Sequence, residues 1–204
     1  RLAEDRRIQD MVKDNFRVIV IGAGMAGILA GIKLKEAGYS NVVIYEKADR
    51  VGGTWRENTY PGLTCDVPSH HYTYTFARNP DWSRHLSSGS EIQAYFERTT
   101  EKYQIEQHIR FNTEVLRATF DGGRWHVQMS DGSADRANVV IAATGVLHHP
   151  AYPNIEGIET FEGDLFHTAR WDHGVPLERK RVGVIGMGST GVQIISDLSS
   201  RGID

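Results

Sequence analysis

Three stretches of the chain place chemistry-bearing residues at fixed spacing. In IGAGMAG, Gly22, Gly24 and Gly27 stand as G-x-G-x-x-G after an apolar run. The first glycine permits a tight turn. The second lets the main chain approach a pyrophosphate with no Cβ in the way, and the third lets the following helix pack on the preceding strand. The helix N terminus then offers N–H groups and a partial positive charge to that anion. Glu46 ends the next apolar run, about 20 residues further on, where a carboxylate can accept hydrogen bonds from both hydroxyls of a ribose. GMGSTG repeats the glycine spacing at Gly186, Gly188 and Gly191, about 160 residues later. The position that would tell NAD from NADP there falls just past the last residue. Between the two turns, FEGDLFHTARWD (161–172) spaces Phe161, Gly163, His167, Trp171 and Asp172. A smaller motif, VGGTW, sets adjacent Gly52 and Gly53 before Trp55, so that main chain can lie against a flat ligand with an indole over it.

The composition is that of a folded, water-soluble chain. Of 204 residues, 40% are hydrophobic and 24% charged, which excludes a disordered, fibrous or disulfide-scaffold class. Net charge is -3 with both signs interspersed, so there is no footprint for nucleic acid or an anionic membrane, and neither is expected as a partner. Cys65 is the single cysteine, which rules out an internal disulfide and fits a reducing, cytoplasmic compartment. The most apolar run, VIVIGAGMAGILAGI, is too short to span a bilayer and carries four glycines. His70-His71 and His148-His149 lack any acid or histidine at ligand spacing, so no metal is expected. The chain has no initiator Met, and it stops after a predicted helix, where the next strand of a βαβ unit would start. Because domain boundaries belong in exposed linkers, the expectation is of a longer parent protein.

These residues need rigid elements behind them. FRVIVIG reads as a buried strand, GAGMAGILAGIKLKEAG as a helix closed by Gly38, and NVVIYEK as a second strand, which together argue for a βαβ unit with a parallel sheet. Residues 49–88 are rich in Gly, Pro, Ser, Tyr and His without a period and read as irregular, with HYTYTF as a short extended piece. SGSEIQAYFERTTEKYQI predicts a helix, with Ser90 and Gln93 as a capping box and Ile92, Tyr95 and Phe96 on its apolar face. FNTEVLRATF, RWHVQMS and ANVVIAATG, separated by DGG and DGS, predict a small antiparallel meander that feeds back into the parallel sheet. KRVGVIGMGSTGVQIISDLSSRG predicts a further strand, glycine turn and helix, closed by Gly202. The first residues, RLAEDRRIQDMVKD, predict a surface helix or ordered tail. The expected domains are an N-terminal extension (1–15), a first nucleotide domain (16–146), a linker (147–180) and the start of a second nucleotide domain (181–204).

From about Phe16 onward the chain resembles the N-terminal part of the Baeyer-Villiger monooxygenases, a group within the class B flavoprotein monooxygenases. FEGDLFHTARWD matches their pattern F-x-G-x-x-x-H-x-x-x-W-[P/D] at Phe161, Gly163, His167, Trp171 and Asp172. Related flavin-containing and N-hydroxylating monooxygenases share the Phe, Gly and His but generally lack the Trp-Pro or Trp-Asp ending. GAGMAG, GGTW with the ENTYPGLTCDVPSHHY loop, AATG at 142–145 and GMGSTG resemble the same family.

The resemblance implies an α/β fold: a Rossmann-like FAD-binding domain with a small antiparallel meander, followed by the start of a Rossmann-like NADP-binding domain. It implies FAD at the first turn, with contacts from Gly22, Gly24, Met25, Ala26, Gly27, Glu46, Lys47, Gly53, Thr54, Trp55, Asp66, Tyr72, Val115 and Thr144. It implies NADPH at the second, with Gly186, Gly188, Ser189, Thr190 and Gly191, and with Thr64, Cys65 and Asp66 near its nicotinamide half. Asp66 is then the acid that orients a catalytic Arg expected beyond residue 204, and His167 couples domain movement to catalysis. The implied reaction takes a ketone and dioxygen to an ester or lactone through a flavin peroxide. The chain as it stands, without that Arg, is expected to be inactive. Two alternatives stay open: a flavin monooxygenase acting on nitrogen or sulfur, and a non-catalytic nucleotide-binding module.

Overall fold

VIVI and VVIY are continuous apolar runs, which suit strands covered on both faces of a parallel sheet. In the computed structural model, which describes residues 13–203, they form β1 (Val18–Ile21) and β2 (Val42–Tyr45). Residues 13–15 are helical; the rest of the expected N-terminal helix or tail, residues 1–12, lies outside the described residues. The described chain falls into two units, residues 13–53 with Phe96–Gly145, and Thr54–Tyr95 with residues 146–203.

The first unit is built on a parallel sheet of order β3-β2-β1-β7, with β3 at Ile109–Arg110 and β7 at Val139–Ala142. Val18 pairs with Val42 on one side and Val139 on the other. Helix α1 (Met25–Glu36) crosses from β1 to β2, burying Gly27, Ile28, Gly31 and Ile32. A Cβ at Gly31 would come within 2.7 Å of Ile44 Cδ1, so the helix sits close on the sheet. Gly38 at φ +83 closes α1, and Tyr39 donates its N–H to the Leu34 carbonyl. A separate antiparallel sheet of order β4-β5-β6 comprises Val115–Asp121, Arg124–Met129 and Ala134–Ala137. Its inward side chains Val127, Met129 and Ala137 join Ile19, Val43 and Tyr45 in one core cluster. Both predicted Asp-Gly turns are present: Gly122 and Gly123 take φ +57 and +80 between β4 and β5, and Gly132 takes φ +84 between β5 and β6. The run ANVVIAATG is divided: Ala137 ends β6 and Val139 begins β7, so the chain leaves the meander and enters the parallel sheet within it.

The second unit holds the short helix α2 (Thr54–Glu57), the start of α3 (Gly89–Lys102) and helix α4 (Ser189–Ser200). Gly202 at φ +71 closes α4 as the sequence predicts, with Ile203 donating to the Leu198 carbonyl. Three local expectations are corrected. HYTYTF forms turns, not an extended piece, and Tyr74 stacks on Phe76 at 5.2 Å. The cap of α3 is Ser88, whose hydroxyl accepts from the Glu91 N–H, while Ser90 turns its hydroxyl to that of Ser88. Residues 181–188 form no strand, because no other strand runs beside them among the described residues. Val182 and Val184 still face inward toward the cluster of Tyr60, Ile194 and Leu198, so the period-two pattern survives without a ladder.

Candidate dinucleotide sites

At the first turn the three glycines do different jobs. Gly22 takes φ +98, and a Cβ there would lie 2.6 Å from the Ala143 carbonyl oxygen. At Gly27 a Cβ would lie 1.8 Å from the Gly22 carbonyl oxygen, so helix and turn touch where only glycine fits. Gly24 is the N-cap of α1, in extended conformation, and faces Gly53 with 3.5 Å from its virtual Cβ to the Gly53 Cα. The VGG loop therefore lies main chain to main chain against the turn, held by the Gly52 N–H on the Ala23 carbonyl. Helix α1 starts with no side-chain cap at Gly24 and no acid in its first turn to offset its positive end.

Glu46 is buried at the end of β2, 4% exposed. One carboxylate oxygen accepts from the Ala23 N–H at 2.7 Å and the other from the Ala48 N–H at 3.0 Å. These two bonds fix the orientation of the carboxylate at the end of β2. Lys47 is exposed beside it, Val115 opens β4, and Thr144 follows Ala143 under the turn.

In the second unit, Thr54 and Trp55 open α2, and the Trp55 indole N–H donates to the Tyr72 hydroxyl at 3.0 Å, with the rings edge to face at 5.5 Å. Burial pushes the Tyr72 phenol up, with the Trp55 bond opposing. Thr64 bridges to Ser88, and the Cys65 N–H bonds the Ser87 carbonyl. Cys65 is 1% exposed and burial pushes its thiol up, which disfavours the thiolate a nucleophile needs. Asp66 is exposed and accepts from the Ser189 hydroxyl at 2.8 Å.

Ser189 and Thr190 open α4 directly after Gly186 (φ +120) and Gly188, and a Cβ at Gly191 would lie 2.5 Å from the Gly186 carbonyl oxygen. The second turn thus repeats the close helix contact of the first. Its helix likewise has no side-chain cap and no acid in its first turn. The Thr190 hydroxyl lies 3.3 Å from that of Tyr60. Tyr60 and Gln193, which bond each other at 3.1 Å, were not singled out from sequence, because side-chain bonds across 133 residues leave no local pattern.

Segment 161–172 is irregular apart from a bend at Gly163 and the 3-10 turn Thr168–Arg170. The Phe161 ring lies over Gly163, where a Cβ would be 2.7 Å from it. His167 caps the 3-10 turn Thr168–Arg170: its Nδ1 accepts from the Ala169 N–H at 3.0 Å, and its ring meets Tyr152 edge-on at 5.5 Å. Trp171 packs on Phe166 and on the Tyr60, Ile194 and Leu198 cluster. Asp172 accepts from the Gly174 N–H, and neighbouring His173 shares a 2.8 Å bond with Thr59. Four of the motif positions thus have a local structural duty: Gly163 makes room, His167 caps, Trp171 anchors and Asp172 turns the chain.

A family model described as pyridine nucleotide-disulphide oxidoreductase matches residues 19–204. The chain belongs to that family. Within this family of oxidoreductases it is 42% identical over 194 residues to a Baeyer-Villiger monooxygenase of Streptomyces coelicolor, covering 94% of the chain and 37% of that protein. It is 53% identical over 182 residues to an uncharacterized monooxygenase of Mycobacterium bovis, covering 89% and 37%. Among solved structures, ε-caprolactone-bound cyclohexanone monooxygenase superposes with a TM-score of 0.82 at 40% identity over 90% of the chain and 37% of its own. A complex of OTEMO with FAD and NADP gives 0.82 at 36% identity, over 91% and 37%. The chain thus spans little more than a third of these relatives. The resemblance drawn from residues 161–172 holds: the chain is similar to Baeyer-Villiger monooxygenases, and it has the Rossmann-like α/β fold expected.

Proposed function

We propose that the chain is the nucleotide-binding part of an FAD- and NADPH-dependent monooxygenase that inserts one atom of dioxygen beside a ketone carbonyl, giving an ester or lactone. The observation that carries this reading is the pair of glycine turns, each opening a helix whose N terminus has neither a side-chain cap nor an acid in its first turn. Two such ends suit two pyrophosphates. The relatives supply the reaction: proteins with the Baeyer-Villiger name, and a cyclohexanone monooxygenase holding ε-caprolactone, a lactone.

In this reading Gly22, Gly24, Met25, Ala26 and Gly27 receive the FAD pyrophosphate, and Glu46, with Lys47 beside it, takes the ribose. The family resemblance adds Gly53, Val115 and Thr144 of the first unit, and Thr54, Trp55 and Tyr72 of the second, as further FAD contacts. Gly186, Gly188, Ser189, Thr190 and Gly191 receive NADPH, with Thr64, Cys65 and Asp66 toward its nicotinamide. FAD, when bound, supplies the oxygen chemistry, and NADPH supplies the electrons. The protein's part is to exclude water and orient the reactants. Asp66 holds an acceptor for a cationic partner, and His167 fixes the 168–170 turn through which movement of the linker passes.

The test is spectroscopic. Protein titrated with FAD takes up the flavin, and anaerobic NADPH bleaches its visible absorption. Flavin that binds but is not bleached would instead favour the non-catalytic module, and no flavin uptake would refute the reading.

A further inference from the structure

Tyr60–Asp66 is laid along α4 by bonds that a purely apolar contact would not need. The Gln193 side chain donates from Nε2 to the Thr64 carbonyl at 3.0 Å. Its Oε1 accepts from the Tyr60 hydroxyl at 3.1 Å and faces the Thr64 N–H at 3.5 Å. One carboxamide thus pairs in both directions with the main chain of a single residue, which fixes the register of the segment on the helix. Gly62 lets this happen: at φ +77 its virtual Cβ would lie 2.5 Å from the Gln193 carbonyl oxygen and 3.0 Å from Asp197 Cβ. Tyr60, 8% exposed, packs with Ile194 and Leu198 below the clamp. At the helix end above it, Asp66 meets Ser189.

We propose that Gln193 is a positioning residue for the second nucleotide site: its carboxamide clamps Tyr60–Asp66 to α4, so that the segment carrying Asp66 and the helix end at Ser189 and Thr190 move as one body. A dinucleotide at the GMGSTG turn is then sensed at Asp66 through the clamp. This rests on the reading of that turn as the NADPH site. Substitution of Gln193 by Ala removes the carboxamide's bonds to Tyr60 and Thr64. Gln193→Glu keeps the acceptor for Tyr60 but cannot donate to the Thr64 carbonyl and sets a carboxylate against it.

Cys65, the single cysteine, sits within the clamped segment and is 1% exposed, so its labelling rate by a thiol reagent reports local opening. The rate is measured at equal flavin content, with and without NADP+, in the native protein, Gln193→Ala and Gln193→Glu, beside each protein's thermal midpoint. The expected result is labelling about tenfold faster in both variants, as lost hydrogen bonds release the segment, with little change in midpoint. NADP+ is expected to slow labelling in the native protein and to do so less in the variants. Labelling unchanged in both variants, or accelerated only in step with a lowered midpoint, overturns the clamp. If calorimetry finds no NADP+ binding to the native protein, the nucleotide reading fails; faster labelling in the variants would then still support the clamp itself.

Discussion

Asp66 accepts a hydrogen bond from the Ser189 hydroxyl at 2.8 Å, across 123 residues of sequence. An acid therefore stands at the end of α4 that is otherwise fitted for an anion. Asp66→Asn keeps a hydrogen-bonding group there and removes the charge that a pyrophosphate would face. NADP+ is expected to bind the variant about threefold tighter, measured by calorimetry, with the gain shrinking as salt rises. Equal or weaker binding would separate Asp66 from the phosphate end of the site.

The glycines of the first turn separate folding from binding. Gly27→Ala puts a methyl 1.8 Å from the Gly22 carbonyl oxygen, and no side-chain rotation relieves it. The expected cost is about 3 kcal/mol or more, read from denaturant unfolding. Gly24→Ala meets only an ordinary 3.5 Å contact and keeps an allowed backbone. That variant is expected to fold like the native chain and to lose flavin affinity.

Glu46 holds two main-chain N–H groups at once, those of Ala23 and Ala48. In Glu46→Gln one of these donors must face an NH2 group. A loss of about 1–3 kcal/mol is expected in thermal or denaturant unfolding, with weakened FAD binding beside it. Stability equal to the native protein would mean that the carboxylate is not what holds the turn.

Arg17, Tyr45 and Asp135 tie the meander to β1 and β2: Arg17 donates to both Asp135 oxygens, and the Tyr45 hydroxyl donates to Asp135 Oδ2 at 2.8 Å. Burial alone would push Asp135 up, but the bonds from Arg17, Tyr45 and the Arg136 N–H outweigh it and hold the carboxyl below its ordinary value. The sign follows: the stabilisation is complete above the unfolded value near 3.9 and is lost as pH falls through the lower folded value. Asp135→Asn is expected to cost about 1 kcal/mol at neutral pH and to flatten the acid limb of a stability curve. An acid limb as steep as that of the native protein would place the titration elsewhere.

Local patterns foretold the elements whose causes are local. Gly38 and Gly202 close their helices, and the Asp-Gly turns set the meander, because each depends on a few adjacent residues. The errors lie where a distant partner decides. Ser90 has the spacing of a cap, but the chain puts Ser88 at the helix end. KRVGVIG has the pattern of a strand, but a strand needs a neighbour. The motif residues of 161–172 were visible as a set, yet their duties as cap, anchor and turn depend on Ala169, Phe166 and Gly174. Gln193 was invisible for the same reason: its partners, Tyr60 and Thr64, are about 130 residues away.

The most direct measurement supplies the protein with FAD, NADPH, a panel of cyclic and open-chain ketones and isotopically labelled dioxygen, and analyses the products by mass spectrometry. The account predicts an ester or lactone carrying one labelled oxygen atom from at least one of these ketones. NADPH oxidised with hydrogen peroxide as the sole product, across the whole panel, would contradict it.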